Sequence, residues 1–555
     1  MYKDYNMNQV TLSLDLEIYL EKNDIVFIIN ELVESIPEES FEPFQHNMGT
    51  SSYHPRMMLK LILCGYTQSI FSGRKIEEMA KDSIRARWLT QSQMPNFRTI
   101  NRFRVNPHVQ DLLKECFIHF RNQLVTQKLI DEEAIFIDGT KIEANANKYT
   151  FVWKKSINNY EDSLTNKSKE LYHQLVQEQI IPAIQNEDEP LHLENLREIT
   201  HSLETEVSNL TDKINNENNV EKRKALRNKR IKPRKYLKQF RDFKTRTQKY
   251  QKQKAILNKR NSYSKTDNDA TFMRMKDDHM KNGQLKPGYN VQIATNNQYV
   301  LAYDVFQNPT DFKTLIPFLE TIKDNYFKLP KYIVADAGYG SEENYQAIMD
   351  DFERIPLITY TMYQKEVKKK YRTNPFNVTN WRYDELLDVY FCPLNRRLKF
   401  KRYSTRIDKY GFKRNLKLYE CESCKNCPIR SSCTKAKSNK NRVIQKNYNW
   451  EYFKAHAKAL INAEETGKIY KQRKIDVEPA FGNLKANLSF TRFSVRGKDK
   501  VVNELGFALM AINIRKLTAY RQLKSTNELK NKDLKMIFSF LNPYFFILET
   551  FGSAS

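Results

Sequence analysis

Three acids in the 555-residue sequence stand where their neighbours would hold them rigidly. The stretch "AIFIDGTKIE", residues 134–143, runs four apolar residues into Asp138 and follows it with Gly139. "YIVADAGYGS", residues 332–341, repeats the arrangement with Asp336, and a glycine again comes within two residues. A short apolar run bounded by turn residues reads as a buried strand, so each aspartate is expected at a strand tip. Two carboxylates brought side by side repel unless a cation lies between them. A hard divalent ion with oxygen ligands, Mg²⁺ or Mn²⁺, is the fitting occupant. A third acid would complete a two-metal site for in-line displacement at phosphorus. Glu478 in "RKIDVEPAFGNLK" suits that role best, on a late helix with Arg473 before it and Lys485 after it as cations for phosphate. Asp476 falls on another face of that helix. Taken singly, each acid reads as structural; two strand-end acids, a late helical glutamate and a basic chain together reverse that reading.

Sulfur offers a second chemistry. Cys421, Cys424, Cys427 and Cys433 follow C-x2-C-x2-C-x5-C, with Cys392 upstream in "YFCPLNRR". In a reducing compartment such tight spacing favours a metal. Zinc in a closed structural site is the default; an iron–sulfur cluster and plain thiols are the alternatives. The spacing leaves open which four of the five would bind. Cys64 and Cys116 sit on helical apolar stripes and read as core residues. His54, His108, His173, His192, His201 and His279 show no paired spacing.

The elements that must position these groups fall in blocks. Residues 1–125 form a helical N-terminal domain, opened by a strand in "VTLSLDLEIYL" and a helix capped by Asn23 or Asp24. Pro55 starts a helix with an apolar stripe through Met58, Leu61, Ile62 and Tyr66. Ser72 caps the next. A turn at Pro95-Asn96 leads into a short helix with Arg98, Asn101, Arg102 and Arg104, the pattern of a helix-turn-helix-like DNA reader, against which stands a plain solvated face. An α/β catalytic domain spans 130–520, with strands, a turn at Asn296-Asn297 and helices between. Two insertions interrupt it. Within 155–262, Leu196, Ile199, Leu203, Val207, Leu210 and Ile214 form a coiled-coil seam. The stretch from Lys222 to Arg260 is dense in one charge, with Tyr236, Phe240, Phe243 and Tyr250 interleaved, which favours phosphate contact over a solvated arm. Residues 362–465 hold the cysteines, and 521–555 form a tail.

The bulk numbers name the partner. Formal net charge is +26, a statement about polyanions and not about fold. Nucleic acid is the commonest partner of such a surface. No apolar run approaches the roughly 20 residues needed to span a membrane. The N-terminus carries no signal-peptide pattern, so a cytosolic protein is expected.

Taken together, "FIDGTKIEANANKY", "SKTDNDATFM", "YIVADAGYGS" and "VEPAFGNLKANLSFTRFSVRGKDKV" resemble a bacterial insertion-sequence transposase of the acid-triad (DDE) type, over about residues 45–520. The resemblance implies an RNase H-like mixed sheet flanked by helices, with an all-α N-terminal transposase domain. It implies Asp138, Asp336 and Glu478 as the catalytic, Mg²⁺-binding triad. The family signature Tyr-x2-Arg-x3-Glu-x6-Lys is nearly met by Tyr470, Arg473, Glu478 and Lys485, with four residues instead of three between Arg473 and Glu478. Further expectations are DNA as partner (element ends and target), a homodimer on synapsed ends, and a cytoplasmic, nucleoid-associated protein. A related nuclease without strand transfer, and a DNA-binding relic without catalysis, are the other readings; the presence of all three acids speaks against the relic.

Overall fold

The computed structural model describes residues 20–45, 52–183, 190–275, 283–437 and 439–541. The strand expected in "VTLSLDLEIYL" and His279 lie outside them. The chain divides into two compact units, Met1–Ile142 with Asn290–Ser555, and Glu143–Tyr289.

In the first unit, the described residues between 25 and 126 are mostly helical, as the sequence pattern predicts. Helices run Ile25–Glu34, Pro55–Thr67, Gly73–Asp82, Ile84–Thr90, Phe97–Arg104 and Val109–Thr126. Their starts are set by local chemistry. Asp24 Oδ1 accepts from the Val26 N–H at 3.1 Å, and Asn96 Oδ1 from the Thr99 N–H at 3.0 Å, each satisfying a donor with no partner inside its helix. Pro55 occupies the first turn, where its missing N–H costs nothing. Ser72 stands at the N-cap position of the third helix without a side-chain bond. The single helix implied by "SGRKIEEMAKDSIRARWL" is two, because Ser83 leaves helical geometry and caps the second through its hydroxyl. Cys64 and Cys116 are fully buried, and burial pushes both thiols up, Cys64 to about 12.

The central sheet is built from β1 (Ala134–Glu143), β4 (Thr271–Arg274), β5 (Leu285–Asn296), β6 (Tyr299–Phe306), β7 (Tyr332–Ala335) and β8 (Ile355–Ile358); β2 (Phe151–Trp153) and β3 (Ser262–Ser264) pair separately. Its order is β5-β1-β7-β8, with β4 and β6 antiparallel to the first and second halves of β5. β1 and β7 are parallel, as are β7 and β8. Central parallel strands are covered on both faces, and accordingly Ala134, Ile135, Phe136 and Ile137 are all buried. The β5–β6 hairpin turns at Asn297 and Gln298, with φ of 47° and 63°, one residue later than the sequence suggests. On one face Ile135, Ile137, Ile333 and Ala335 meet Leu315, Phe318 and Leu319 of the helix Leu315–Asn325 and Phe453 of the helix Tyr448–Asn462. The last helix, Lys498–Leu541, is buried from Val501 to Ile514.

The cysteine-bearing segment is a five-stranded antiparallel sheet that the sequence reading did not anticipate. It runs β9 (Arg382–Asp384), β10 (Val389–Phe391), β11 (Arg397–Ile407), β12 (Lys413–Cys421) and β13 (Val443–Lys446) in spatial order. Its core joins Trp381, Tyr390, Leu398, Tyr419 and Ile444 to Cys421 and Cys424.

Among the described residues the second unit holds three helices, Lys154–Gln177, Leu193–Asn216 and Val220–Leu257. The seam residues Leu196, Ile199 and Leu203 are buried against Tyr172, Leu175, Leu237 and Phe240. The heptad pattern therefore closes on this unit's own hairpin.

Candidate active site

β1 and β7 run side by side in parallel, with Ile137 opposite Ala335. The residues that follow are Asp138 and Asp336, so the paired strands deliver both carboxylates at one edge. Backbone amides hold them: the Gly139 N–H donates to Asp138 Oδ1 at 2.7 Å, and the Gly338 N–H to Asp336 Oδ1 at 2.8 Å.

A buried polar scaffold lies against the pair. Asn290 and Gln292, both fully buried on β5, bond through their amides to Asp311 Oδ1 at 2.9 and 3.4 Å. The Tyr339 hydroxyl donates to Gln292 Oε1. Burial, then the charges of Asp311, Asp138 and Asp336, push the Tyr339 phenol well above its ordinary range, so it stays protonated and keeps donating. Gly139 is required here, because a Cβ would stand 2.2 Å from Gln292 Nε2. Gly340 is required by a second close approach, 2.3 Å from the Thr359 carbonyl oxygen. Asp311 escaped the sequence reading: it follows no strand and sits in a Thr-Asp pair that reads as a helix start.

The helix Glu464–Gly482 supplies the remaining predicted residues. Arg473 Nη1 lies 3.6 Å from Asp138 Oδ2, and the Tyr470 and Thr359 hydroxyls are 3.0 Å apart. These two contacts join the helix to the strand ends. Glu478 is exposed, five residues beyond Arg473 and so about 140° further round the helix. Pro479 interrupts the backbone ladder just after it, and Lys485 follows in a π-helical turn, Asn483–Asn487. Asp476 is buried, which raises its pKa against the pull of the Thr295 hydroxyl, the Gln298 amide and Lys516. Its place is structural, as its helical face implies. The structure thus brings Asp138, Asp336 and Arg473 together. Among the described residues no three acids, histidines or cysteines stand close enough, as placed, to hold a metal ion. The donor chemistry of the aspartate pair nevertheless fits a hard divalent cation: two carboxylates on adjacent strands, one already facing a guanidinium.

Arg98 and Arg102 are exposed on the helix Phe97–Arg104. Arg104 is not available to DNA. It is buried, its Nη2 2.8 Å from Glu504 Oε1 and 2.6 Å from the Tyr66 hydroxyl. Elsewhere Cys392, Cys421, Cys424, Cys427 and Cys433 line one small cavity with Trp381 and Arg442. Arg442 donates from Nη1 to Cys433 Sγ at 3.1 Å and from its backbone N–H to Cys424 Sγ at 3.3 Å. Burial pushes the Cys421 thiol up to about 12.

Two family models match the chain. One, described as a transposase DDE domain, covers residues 391–518, and the other, described as a transposase domain, covers residues 14–106. The first contains Glu478 and the helix Glu464–Gly482 that carries it; the second contains Arg98 and Arg102. No curated protein and no solved structure gives a significant match.

Proposed function

We propose that this chain, two stretches of which match transposase domain models, is a DDE-type DNA transposase that cuts the ends of an insertion sequence and joins them to target DNA. The observation that carries this reading is the pairing of β1 with β7, which sets Asp138 beside Asp336. In this reading Asp138, Asp336 and Glu478 would hold Mg²⁺ or Mn²⁺. Bound there, the ions would activate water and offset charge at phosphorus. Hydrolysis breaks one phosphodiester and leaves a 3′-hydroxyl on the element end. That hydroxyl then attacks a target phosphodiester, forming a new P–O bond while the target's own 3′-oxygen departs and takes a proton. The Gly139 and Gly338 amides keep both carboxylates aimed. Arg473, Tyr470 and Lys485 hold the scissile strand by its phosphates, and Arg98 and Arg102 hold the element end. The protein works as a dimer on two synapsed ends, in the cytoplasm at the nucleoid. Among the described residues no helix is long and apolar enough to cross a membrane.

The test is cleavage of a labelled duplex carrying the element's own end, in Mg²⁺ or EDTA, by wild type, Asp138→Asn and Glu478→Gln. Metal-dependent nicking at one phosphate, lost in both variants while binding persists, is the expected result. Nicking that survives Glu478→Gln would remove that residue from the triad. Nicking without joining would turn the reading to a nuclease.

The spacing C-x2-C-x2-C-x5-C from Cys421 to Cys433, with Cys392 upstream, carries a further proposal of a structural zinc site, since thiolates are zinc's commonest structural ligands; binding would have to draw four of the five thiols that line the cavity closer together than they stand. Elemental analysis of purified protein should find about one zinc per chain, reduced in Cys421→Ser and Cys424→Ser. Absence of metal from protein purified without chelator would leave the cysteines as packing residues.

A further inference from the structure

The inserted unit carries a feature that the strand-cutting reading does not use. Its helix Val220–Leu257 contains sixteen lysines and arginines against two acids, Glu221 and Asp242. The structure sorts these charges. Pro233, Leu237 and Phe240 are buried on one face. On the flanks, cations are matched within the unit: Lys232 with Glu178, Arg241 with Glu204, and Lys254 with Glu161. Opposite the buried face run Lys224, Arg234, Lys235, Lys238, Lys249 and Lys252. All are exposed, and none makes an ion pair among the described residues. At 100° per residue these six fall within an arc of about 100°, and at 1.5 Å per residue they span about 42 Å. That is longer than one turn of duplex DNA, about 34 Å.

The aromatics decide what kind of polyanion fits. Proteins that hold single strands offer aromatic rings on which bases stack. Here Phe240 is fully buried, Tyr236 and Phe243 pack onto the same core, and Tyr250 packs onto a second one. This face therefore offers point charges and no stacking platform on its own helix. We propose that it is a docking surface for the phosphate backbone of duplex DNA, independent of sequence and separate from the residues that cut. The proposal rests on the transposase reading only in taking DNA as the substrate.

The experiment uses the full chain and a labelled 40-base-pair duplex of arbitrary sequence. Wild type is compared with the quadruple variant Lys235→Gln, Lys238→Gln, Lys249→Gln, Lys252→Gln across a salt series. Each neutralised phosphate contributes about 0.9 to the slope of log K against log salt, so the variant's slope should be shallower by about 3 to 4. Its affinity at low salt should fall at least about tenfold, with an unchanged circular dichroism spectrum. An unchanged slope would overturn the proposal. So would an equal or larger loss on a 40-nucleotide single strand, or a change confined to self-association measured by light scattering. Cutting of an element end at saturating protein is read in parallel. A wild type that fails to cut while the slope still changes would sink the transposase reading and leave this surface standing.

Discussion

At the scale of single residues, the aspartate pair depends on glycine and on a buried tyrosine. Gly139 follows Asp138 and leaves room for Gln292, whose amide N–H reaches Asp311 while its oxygen accepts a hydrogen bond from the Tyr339 hydroxyl. Replacing Gly139 with alanine would set a Cβ 2.2 Å from Gln292 Nε2, so either Gln292 or the Asp138 backbone must move. A displacement of about 1 Å at a reacting centre can cost about 10²-fold in rate. Gly139→Ala should therefore cut DNA about 10²-fold more slowly with DNA affinity unchanged, as single-turnover cleavage beside a binding titration would measure. Equal loss of both would mean that Gly139 serves the fold and not the aim of Asp138. Asp138 and Asp336 were legible because an apolar strand ending in an acid and a glycine is a local pattern. Asp311 was not, because nothing within a few residues of it foretells that Asn290 and Gln292 will reach it from β5.

At the scale of elements, the contacts that fix the helices are those the sequence hides best. Arg104 reads as one more cation on a basic helix, yet it is buried and paired with Glu504, some four hundred residues away. Ser494 also donates to Glu504, through its backbone N–H at 2.8 Å and its hydroxyl. Removing one partner of a buried pair strands the other charge and costs about 3–5 kcal/mol. Glu504→Ala should lower the unfolding free energy of its own unit by about that much, measured as a fall in the denaturant midpoint of that unit's transition at constant slope. A loss below about 1 kcal/mol would mean that water reaches Arg104. A half-buried cation gives a pH signature. Burial lowers the Lys516 pKa to about 8 from 10.5, with Asp476 opposing the shift. Between those values the unfolded chain holds the proton and the folded chain has released it, so this group makes stability rise with pH there. Below about 8 both states hold it and the penalty is full. Lys516→Met should therefore gain on wild type at pH 7, and the gain should shrink between pH 8 and 10.5; a constant difference would place Lys516 in water. The five-stranded sheet of residues 382–446 was missed for a related reason. Its longest strand, "RLKFKRYSTRI", is exposed over most of its length and carries five cations, so the apolar alternation that marks a strand is absent from most of it.

At the scale of the whole molecule, two units carry separate cores. The helical unit Glu143–Tyr289 buries Leu196, Leu203, Leu237 and Phe240 among themselves, whereas the aspartate pair rests on Ile137, Ile333 and Ala335 in the other unit. The seam was legible because its three- and four-residue steps are a strong periodic signal. Its partner was not, since a heptad pattern serves a neighbouring helix of the same chain as well as a second chain. Separate cores break two-state behaviour, so heat or denaturant should produce more than one transition. Phe240 offers the discriminating probe. It is fully buried in the helical core. Truncating a buried phenylalanine costs about 3–5 kcal/mol through lost burial and the cavity left behind. Phe240→Ala should shift one calorimetric transition downwards by that amount and leave the other in place. Cutting at saturating protein and low temperature should stay near wild type, because the strands that hold Asp138 and Asp336 do not draw on this core. A single transition that moves as a whole would show the two cores to be one cooperative system, and the aspartate pair would then depend on the packing of the basic helix.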